Sequence, residues 1–499
     1  MPAIPVAARP TLPQAAMPNP RPFNPKQVLV ETIVIGGGIT GLTTAYRLQK
    51  SGRSYLLLEK SARLGGKIRS IHKNGYQMEA GPHTIHNRNA ALMALCNELK
   101  VPLQKPHASA KRRFIYNGHQ LLEVPHTPTG MLTSPLLSPW SKARMMLEPF
   151  LPVRKIRKTT SVEEYVTLRL GSGVAKTLID PILSGIYAST ADALSLQAIA
   201  PDLAEFNNTQ NGSLLAYLKQ KQQQHQGTPY QVYSIVGGLQ TLVSAMADEL
   251  NPARVLTGKH VCDVTRNEQG YYQVLTDTDE KYFAKNVVVA TEAFQAATCL
   301  RVLSKGLFDR LNRIPYVPMA VVHLGFRREA LQHELDGFGF LIPRHVGLKL
   351  LGAIWPSSMF DDRAPDQHCL LTCMLGGNKE ADILHWGDAQ LIHFALQGLS
   401  EALELHRSEL LPTLQYVVRW PHAIPQFTPK HLETLESVRM EVERFAGLFL
   451  TGNYMKGVSL NDCVEQALNT VAIIKGEAPW PWKTHYEPID PASLTAVIE

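Results

Sequence analysis

Cysteine is scarce in this chain of 499 residues: there are six, at positions 96, 262, 299, 369, 373 and 463. No two form a C-x-x-C pair and no histidine run offers ligand spacing, which argues against a disulfide scaffold and a structural metal. Cys369 and Cys373 stand four apart in an apolar run and read as core thiols, which points to a reducing compartment. Long hydrophobic runs are missing as well. Residues 124–141 carry no fixed charge, but their four prolines forbid a spanning helix, and no other stretch qualifies. There is no internal repeat, no Ser–His–Asp set and no pair of acids that must be catalytic. What is present is an ordinary globular composition, 44% hydrophobic and 19% charged, long enough for two or three domains.

The net charge of +7 is unevenly placed. Residues 100–160 hold eleven basic side chains (Lys100, Lys105, Lys111, Arg112, Arg113, Lys142, Arg144, Arg154, Lys155, Arg157 and Lys158) against Glu123 and Glu148 alone. Nucleic acid is not expected, because no binding motif or regular aromatic spacing accompanies the charge. Two readings of the segment stand side by side. Its apolar residues and Trp140 enter a membrane interface while the cations meet anionic headgroups, or it packs on its own domain with a solvated basic face. Residues 1–27, with eight prolines, no acid and no serine, read as a disordered tail, an organelle address being the alternative.

The most informative stretch is Thr32-Ile-Val-Ile-Gly-Gly-Gly-Ile-Thr-Gly41. It predicts a buried strand, a tight glycine turn and the start of a helix, with Gly36, Gly38 and Gly41 in the dinucleotide pattern G-x-G-x-x-G. Gly37, Ile39 and Thr40 complete the turn, whose helix N-terminus favours phosphate. A second apolar strand ends in Glu59 followed by Lys60, eighteen residues past Gly41 and so placed to bond ribose hydroxyls. Arg63-Leu-Gly65-Gly66-Lys67 then adds a second glycine pair beside cations, suited to a diphosphate. A nicotinamide site does not need that second loop. The cofactor expected is FAD.

Further along, residues 90–99 have helical spacing, and residues 109–123 alternate like a hairpin around Asn117-Gly118. Residues 162–179 predict one helix, and 220–224 an exposed helix end or loop. Asn286-Val-Val-Val-Ala-Thr291 predicts a buried strand of the first parallel sheet, and Gly447-Leu-Phe-Leu-Thr-Gly-Asn453 a last one before a closing helix.

Several blocks in order, Arg112-Arg-Phe-Ile-Tyr116, Asp180-Pro-Ile-Leu-Ser-Gly-Ile-Tyr187, Gly337-Phe-Gly-Phe-Leu-Ile-Pro343, Pro421-His-Ala-Ile-Pro-Gln426 and Gly457-Val-Ser-Leu-Asn-Asp-Cys463, make the chain resemble the oxygen-dependent protoporphyrinogen oxidases of the flavin-containing amine oxidase superfamily. The resemblance spans residues 32–475. It implies an α/β fold: a Rossmann-type FAD domain of the p-hydroxybenzoate-hydroxylase type, an α+β substrate domain and a mostly helical membrane-facing domain. The corresponding boundaries are 28–98, 230–300 and 440–480 for FAD, 301–439 for substrate and 99–226 for the helical unit.

The resemblance also implies roles. Gly81, Pro82, His83 and Thr84 match positions lining a non-covalent FAD, with Val261 by the adenine and Asn453, Val458, Ser459 and Leu460 against the flavin. Arg113 matches a propionate-binding arginine that Arg112 assists. Gly185 matches a backbone contact to substrate, Leu341 and Ile354 the walls around the tetrapyrrole. Met374 stands where relatives can carry an aromatic, and His83 where asparagine or arginine is more usual. The implied reaction takes six electrons from protoporphyrinogen IX by way of O2, giving protoporphyrin IX and three H2O2 in haem or chlorophyll synthesis. No side chain is assigned as catalytic. Coproporphyrinogen III is the alternative substrate, and a non-catalytic porphyrin-binding flavoprotein the rival class. Expected partners are the porphyrinogen, O2 and an anionic membrane surface, with handover to the next tetrapyrrole enzyme and a homodimer also admitted. The expected location is cytoplasmic or organellar, at the membrane periphery.

Overall fold

The computed structural model describes residues 30–478 apart from 88–89, 211, 225–229 and 409. The proline-rich tail and positions 479–480 lie outside the described residues.

The first sheet grows from the glycine turn. Strand β1 (Val30–Ile35) leads through the turn into helix α1 (Ile39–Lys50), and β2 (Tyr55–Glu59) returns parallel to β1. Both strands are buried on both faces, and the faces are filled separately. Ile33, Ile35, Leu56 and Leu58 pack toward helices Ala293–Leu300 and His431–Val442, whereas Val34 and Leu57 pack toward α1 and helix Leu460–Lys475. Strand Lys281–Val289 pairs parallel with β1 from Val30↔Ala284 to Ile35↔Val289. Its other edge is shared: Tyr272–Thr276 pairs antiparallel along the first half, and Leu448–Leu450 parallel along the second. The expected strands at 286–291 and 447–453 therefore meet in this sheet.

The second sheet runs in spatial order Leu414–Pro425, Tyr316–Arg327, His368–Gly376, Leu350–Ile354, Gly339–Leu341, Arg113–Tyr116, Leu121–Glu123. The hairpin around Asn117 forms as expected, but not where the boundaries put it. Arg113–Tyr116 pairs parallel with Gly339–Leu341, so backbone hydrogen bonding makes residues 113–123 part of the second sheet, not of the helical unit.

That unit is built on the helices between Pro128 and Gln224. A single helix over 162–179 does not form. Helix Val162–Leu170 stops at Gly171, whose φ of +91° is open to glycine alone among common residues, and a π turn over Ala175–Ile179 leads into helix Asp180–Tyr187. Arg169 and Glu148 lie buried together at its core, joined by a short ion pair. Trp140 and Phe150 stand out from the same unit, 86% and 83% exposed. Among the described residues no helix is long and apolar enough to cross a membrane.

Candidate functional site

A cleft of about 680 Å³ runs from the glycine turn of the first sheet to the face of the second. At the first end the backbone is closed so tightly that only glycine serves. A Cβ on Gly41 would stand 1.8 Å from the Gly36 carbonyl oxygen, and Gly36 itself has a φ of +104°. Gly38 has open space where a side chain would begin, which leaves its backbone free for a ligand. The two glycine loops are bonded to each other: Gly65 N–H donates to the Gly37 carbonyl at 2.8 Å. Glu59 is buried and accepts from Gly37 N–H at 2.6 Å and Ser61 N–H at 2.7 Å, each oxygen keeping acceptor capacity for a hydroxyl.

The basic residues of this end are not equivalent. Arg63 donates to the carbonyls of Leu64, Gly66 and Ile68 and so fastens its own loop. Lys67 Nζ meets Glu292 Oε1 at 3.1 Å; burial pushes that carboxyl up, but the ammonium beside it brings it below the ordinary value. Lys60, Thr40, Ile39 and Val261 line the same end. A Cβ on Gly81 would lie 2.2 Å from the Lys67 carbonyl oxygen, which locks the turn carrying Pro82, His83 and Thr84 against the second glycine loop. From the C-terminal side Asn453, Val458, Ser459 and Leu460 complete the wall, Ser459 capping the closing helix by a reciprocal bond with Asp462. Open backbone at Gly38, a ribose-range carboxylate and cations near the turn fit a dinucleotide.

The other end is apolar, and strand register assembles it. Val321 lies opposite Met374, and Met319 opposite Trp420. With Ile354, Ala423 and Ile424 these form the floor. Trp420 Nε1–H donates to the Ala80 carbonyl at 2.7 Å and ties the floor to the Gly81 turn. Gly185 and Ile186 line the cleft from the helical unit, and Leu341 presses on Gly185, with 2.9 Å left for a Cβ.

Arg113 stands one layer back, its guanidinium 5.4 Å over the ring of Phe338, which lines the cleft. Burial lowers its pKa, and among the described residues no carboxylate pairs with it. Arg112 differs: it meets Asp336 at 2.6 Å and Glu123 at 3.1 Å, so both of its ion pairs are already made. Thus Gly185, Ile354 and Met374 come together at the apolar end, Arg113 and Leu341 adjoin it, and Gly37 and Gly41 lie behind the wall. Phe338, Met319, Val321 and Trp420 escaped the sequence reading. Met319 and Val321 share one face of Tyr316–Arg327, but the strand is apolar and buried on both faces, so its sequence carries no signal for which face lines the cleft.

The sequence matches the family model for flavin containing amine oxidoreductases over residues 39–475. It is 30% identical over 477 residues to the chloroplastic protoporphyrinogen oxidase of Nicotiana tabacum, covering 90% of this chain and 86% of the relative. To the coproporphyrinogen III oxidase of Bacillus subtilis it is 27% identical over 461 residues, covering 88% of this chain and 97% of the relative. A solved structure from Exiguobacterium sp. 255-15 superposes with a TM-score of 0.76 at 24% identity, covering 91% of this chain and 100% of that one, which shows the shared fold.

Proposed function

The chain belongs to the flavin containing amine oxidoreductase family, and from that premise we propose that it is an FAD-dependent oxidase of protoporphyrinogen IX. FAD bound at the glycine end would supply the redox chemistry, as acceptor of the substrate's electrons and their donor to O2. The protein binds, orients and excludes water. Gly36, Gly38, Gly65 and Gly66 offer backbone to the diphosphate, Glu59 the ribose acceptor, and Lys67 with Lys60 the nearby positive charge.

The observation that carries the substrate is Arg113. A porphyrinogen is a large apolar macrocycle fringed by carboxylates, and here a guanidinium without a carboxylate partner among the described residues adjoins a floor of Phe338, Ile354, Met374 and Val321. The second reading, oxidation of coproporphyrinogen III, is favoured by the Bacillus subtilis relative. Four propionates call for more cations at the apolar end, whereas Lys60, Arg63, Lys67 and Lys259 line the cleft alongside the glycine-turn residues. Attachment to an anionic membrane surface is part of the proposal, supported by Trp140 and Phe150 exposed beside the basic run.

Anaerobic mixing of the flavin-loaded protein with each porphyrinogen tests it. Bleaching of the flavin is expected to be fastest with protoporphyrinogen IX. Faster bleaching by coproporphyrinogen III selects the second reading, and none with either refutes both.

A further inference from the structure

The wall beside the glycine turn holds a polar group to which neither the diphosphate nor the ribose gives a task. Helix Ala293–Leu300 and the residue before it turn one face to the cleft, where Glu292, Gln295 and Cys299 follow at the spacing of a helix face. Two of these are engaged. Glu292 meets Lys67, and the buried Cys299 donates its S–H to the Ala296 carbonyl at 3.4 Å. The Gln295 amide enters no hydrogen bond among the described residues. Gln295 is only partly buried and lines the cleft, so a group bound there can reach it.

What this face meets follows from the glycine turn. A dinucleotide with its diphosphate at Gly36 and Gly38 and a ribose on Glu59 carries its base on the far side of that ribose. There Lys259 N–H donates to the Glu59 carbonyl at 2.8 Å, so Lys259, His260 and Val261 prolong the cleft wall beyond the ribose acceptor. Helix Ala293–Leu300 packs on the strand that Val261 opens, and Val261 shares an apolar cluster with Ala296 and Cys299. The base therefore has the Val261 strand on one side and the helix turn of Gln295 on another. The other polar side chains suit it less: Lys259 is held by Glu280, and His260 is exposed. An amide sets a donor beside an acceptor. Adenine shows the matching pair along either edge of its ring, N6–H beside N1 or beside N7.

We propose that Gln295 selects the base of the bound dinucleotide, its carbonyl oxygen accepting from the 6-amino group of adenine and its N–H donating to the neighbouring ring nitrogen. The inference rests on the FAD reading and is independent of which porphyrinogen is oxidised. It supplies a selectivity that the rest of the glycine end lacks. The loop N–H groups, Glu59 and the lysines meet only diphosphate and ribose, which every dinucleotide of this kind carries whatever its base. Gln295 is the group on this wall that distinguishes adenine from a base without the amino group.

The test titrates the flavin-free full chain, by calorimetry, with FAD and with the analogue whose base is purine, identical but for the missing 6-amino group. The wild type is expected to hold FAD about tenfold more tightly, the weight of one lost hydrogen bond. Gln295→Leu, of similar size, should bind FAD at least about tenfold more weakly than the wild type does. It should bind the two dinucleotides equally, within about twofold, because the amino group then has no partner to lose. This cycle separates recognition from damage. A variant that only loosens the helix weakens both dinucleotides alike and keeps the preference for FAD, and that result overturns the proposal. Equal affinity of the wild type for both overturns it as well, and needs no variant to fold. FMN tests the premise. If the wild type binds FMN as tightly as FAD, or binds neither, the dinucleotide reading fails and takes this proposal with it. FAD bound far more tightly than FMN, with no preference for the 6-amino group, sinks the proposal alone.

Discussion

Replacing Arg113 by Ala separates the substrate site from the fold. In the free protein the guanidinium is largely desolvated, stacks on Phe338 at 5.4 Å and has no carboxylate partner among the described residues. Its removal therefore breaks no ion pair among the described residues, and stability should fall by about 2 kcal/mol, the range of a desolvated cation–π contact. A bound propionate loses its partner. A hydrogen bond to a charged group contributes about 1.5–3 kcal/mol, and each 1.4 kcal/mol is about tenfold in affinity. KM for protoporphyrinogen IX should thus rise roughly tenfold to a hundredfold by those figures. Arg112→Ala is the control. Its bridges to Asp336 and Glu123 are 42–44% exposed, so each contributes about 0.2–1 kcal/mol to stability. It should lower the melting temperature by a few degrees and leave KM nearly unchanged. The assays are steady-state porphyrin fluorescence, flavin absorbance and thermal unfolding on both variants. An unchanged KM in Arg113→Ala, or loss of its flavin, would refute the reasoning and return Arg113 to the fold.

Gly41→Ala forces a Cβ to within 1.8 Å of the Gly36 carbonyl oxygen, so the turn must open; the expected result is protein purified without flavin, and a normal flavin spectrum would count against the cradle. Glu148→Gln leaves the buried Arg169 charge without its counter-ion. Urea unfolding should show a loss of about 3–5 kcal/mol, whereas a loss under about 1 kcal/mol would mean the helical unit repacks around the arginine. Trp140→Ser with Phe150→Ser removes two side chains exposed by 86% and 83%, so the melting temperature should not move. Sedimentation with anionic vesicles should fall more than tenfold, at about 1.5–3 kcal/mol for each apolar side chain; undiminished binding would dismiss this patch as the membrane contact.

How much of this the sequence disclosed follows from how local each feature is. The glycine turn and Glu59 are legible because the turn's conformation, the acid's spacing and the flanking apolar strands all lie within thirty consecutive residues of one βαβ unit. Gly171 was equally visible, yet residues on either side keep helical character, and only the observed φ of +91° shows the chain breaking there. The apolar floor was harder. Tyr316–Arg327 is buried along nearly its whole length, so alternation has no polar face to tell Met319 and Val321 from Ala320 and Val322. Non-local pairing hid the rest. Nothing near Arg113 announces that Gly339 will lie opposite it, and the boundary at residue 99 came from the family resemblance, not from the strand's own residues. That pairing decides which arginine stands over Phe338 beside the cleft. Side chains alternate across a strand, so a slip of one residue would turn Arg113 to the other face and bring Arg112 into its place. Arg112 sits between Asp336 and Glu123 and is already neutralised. Register, more than the number of basic residues, therefore leaves beside Phe338 a guanidinium that pairs with no carboxylate among the described residues, which is why the proposed propionate is given to Arg113.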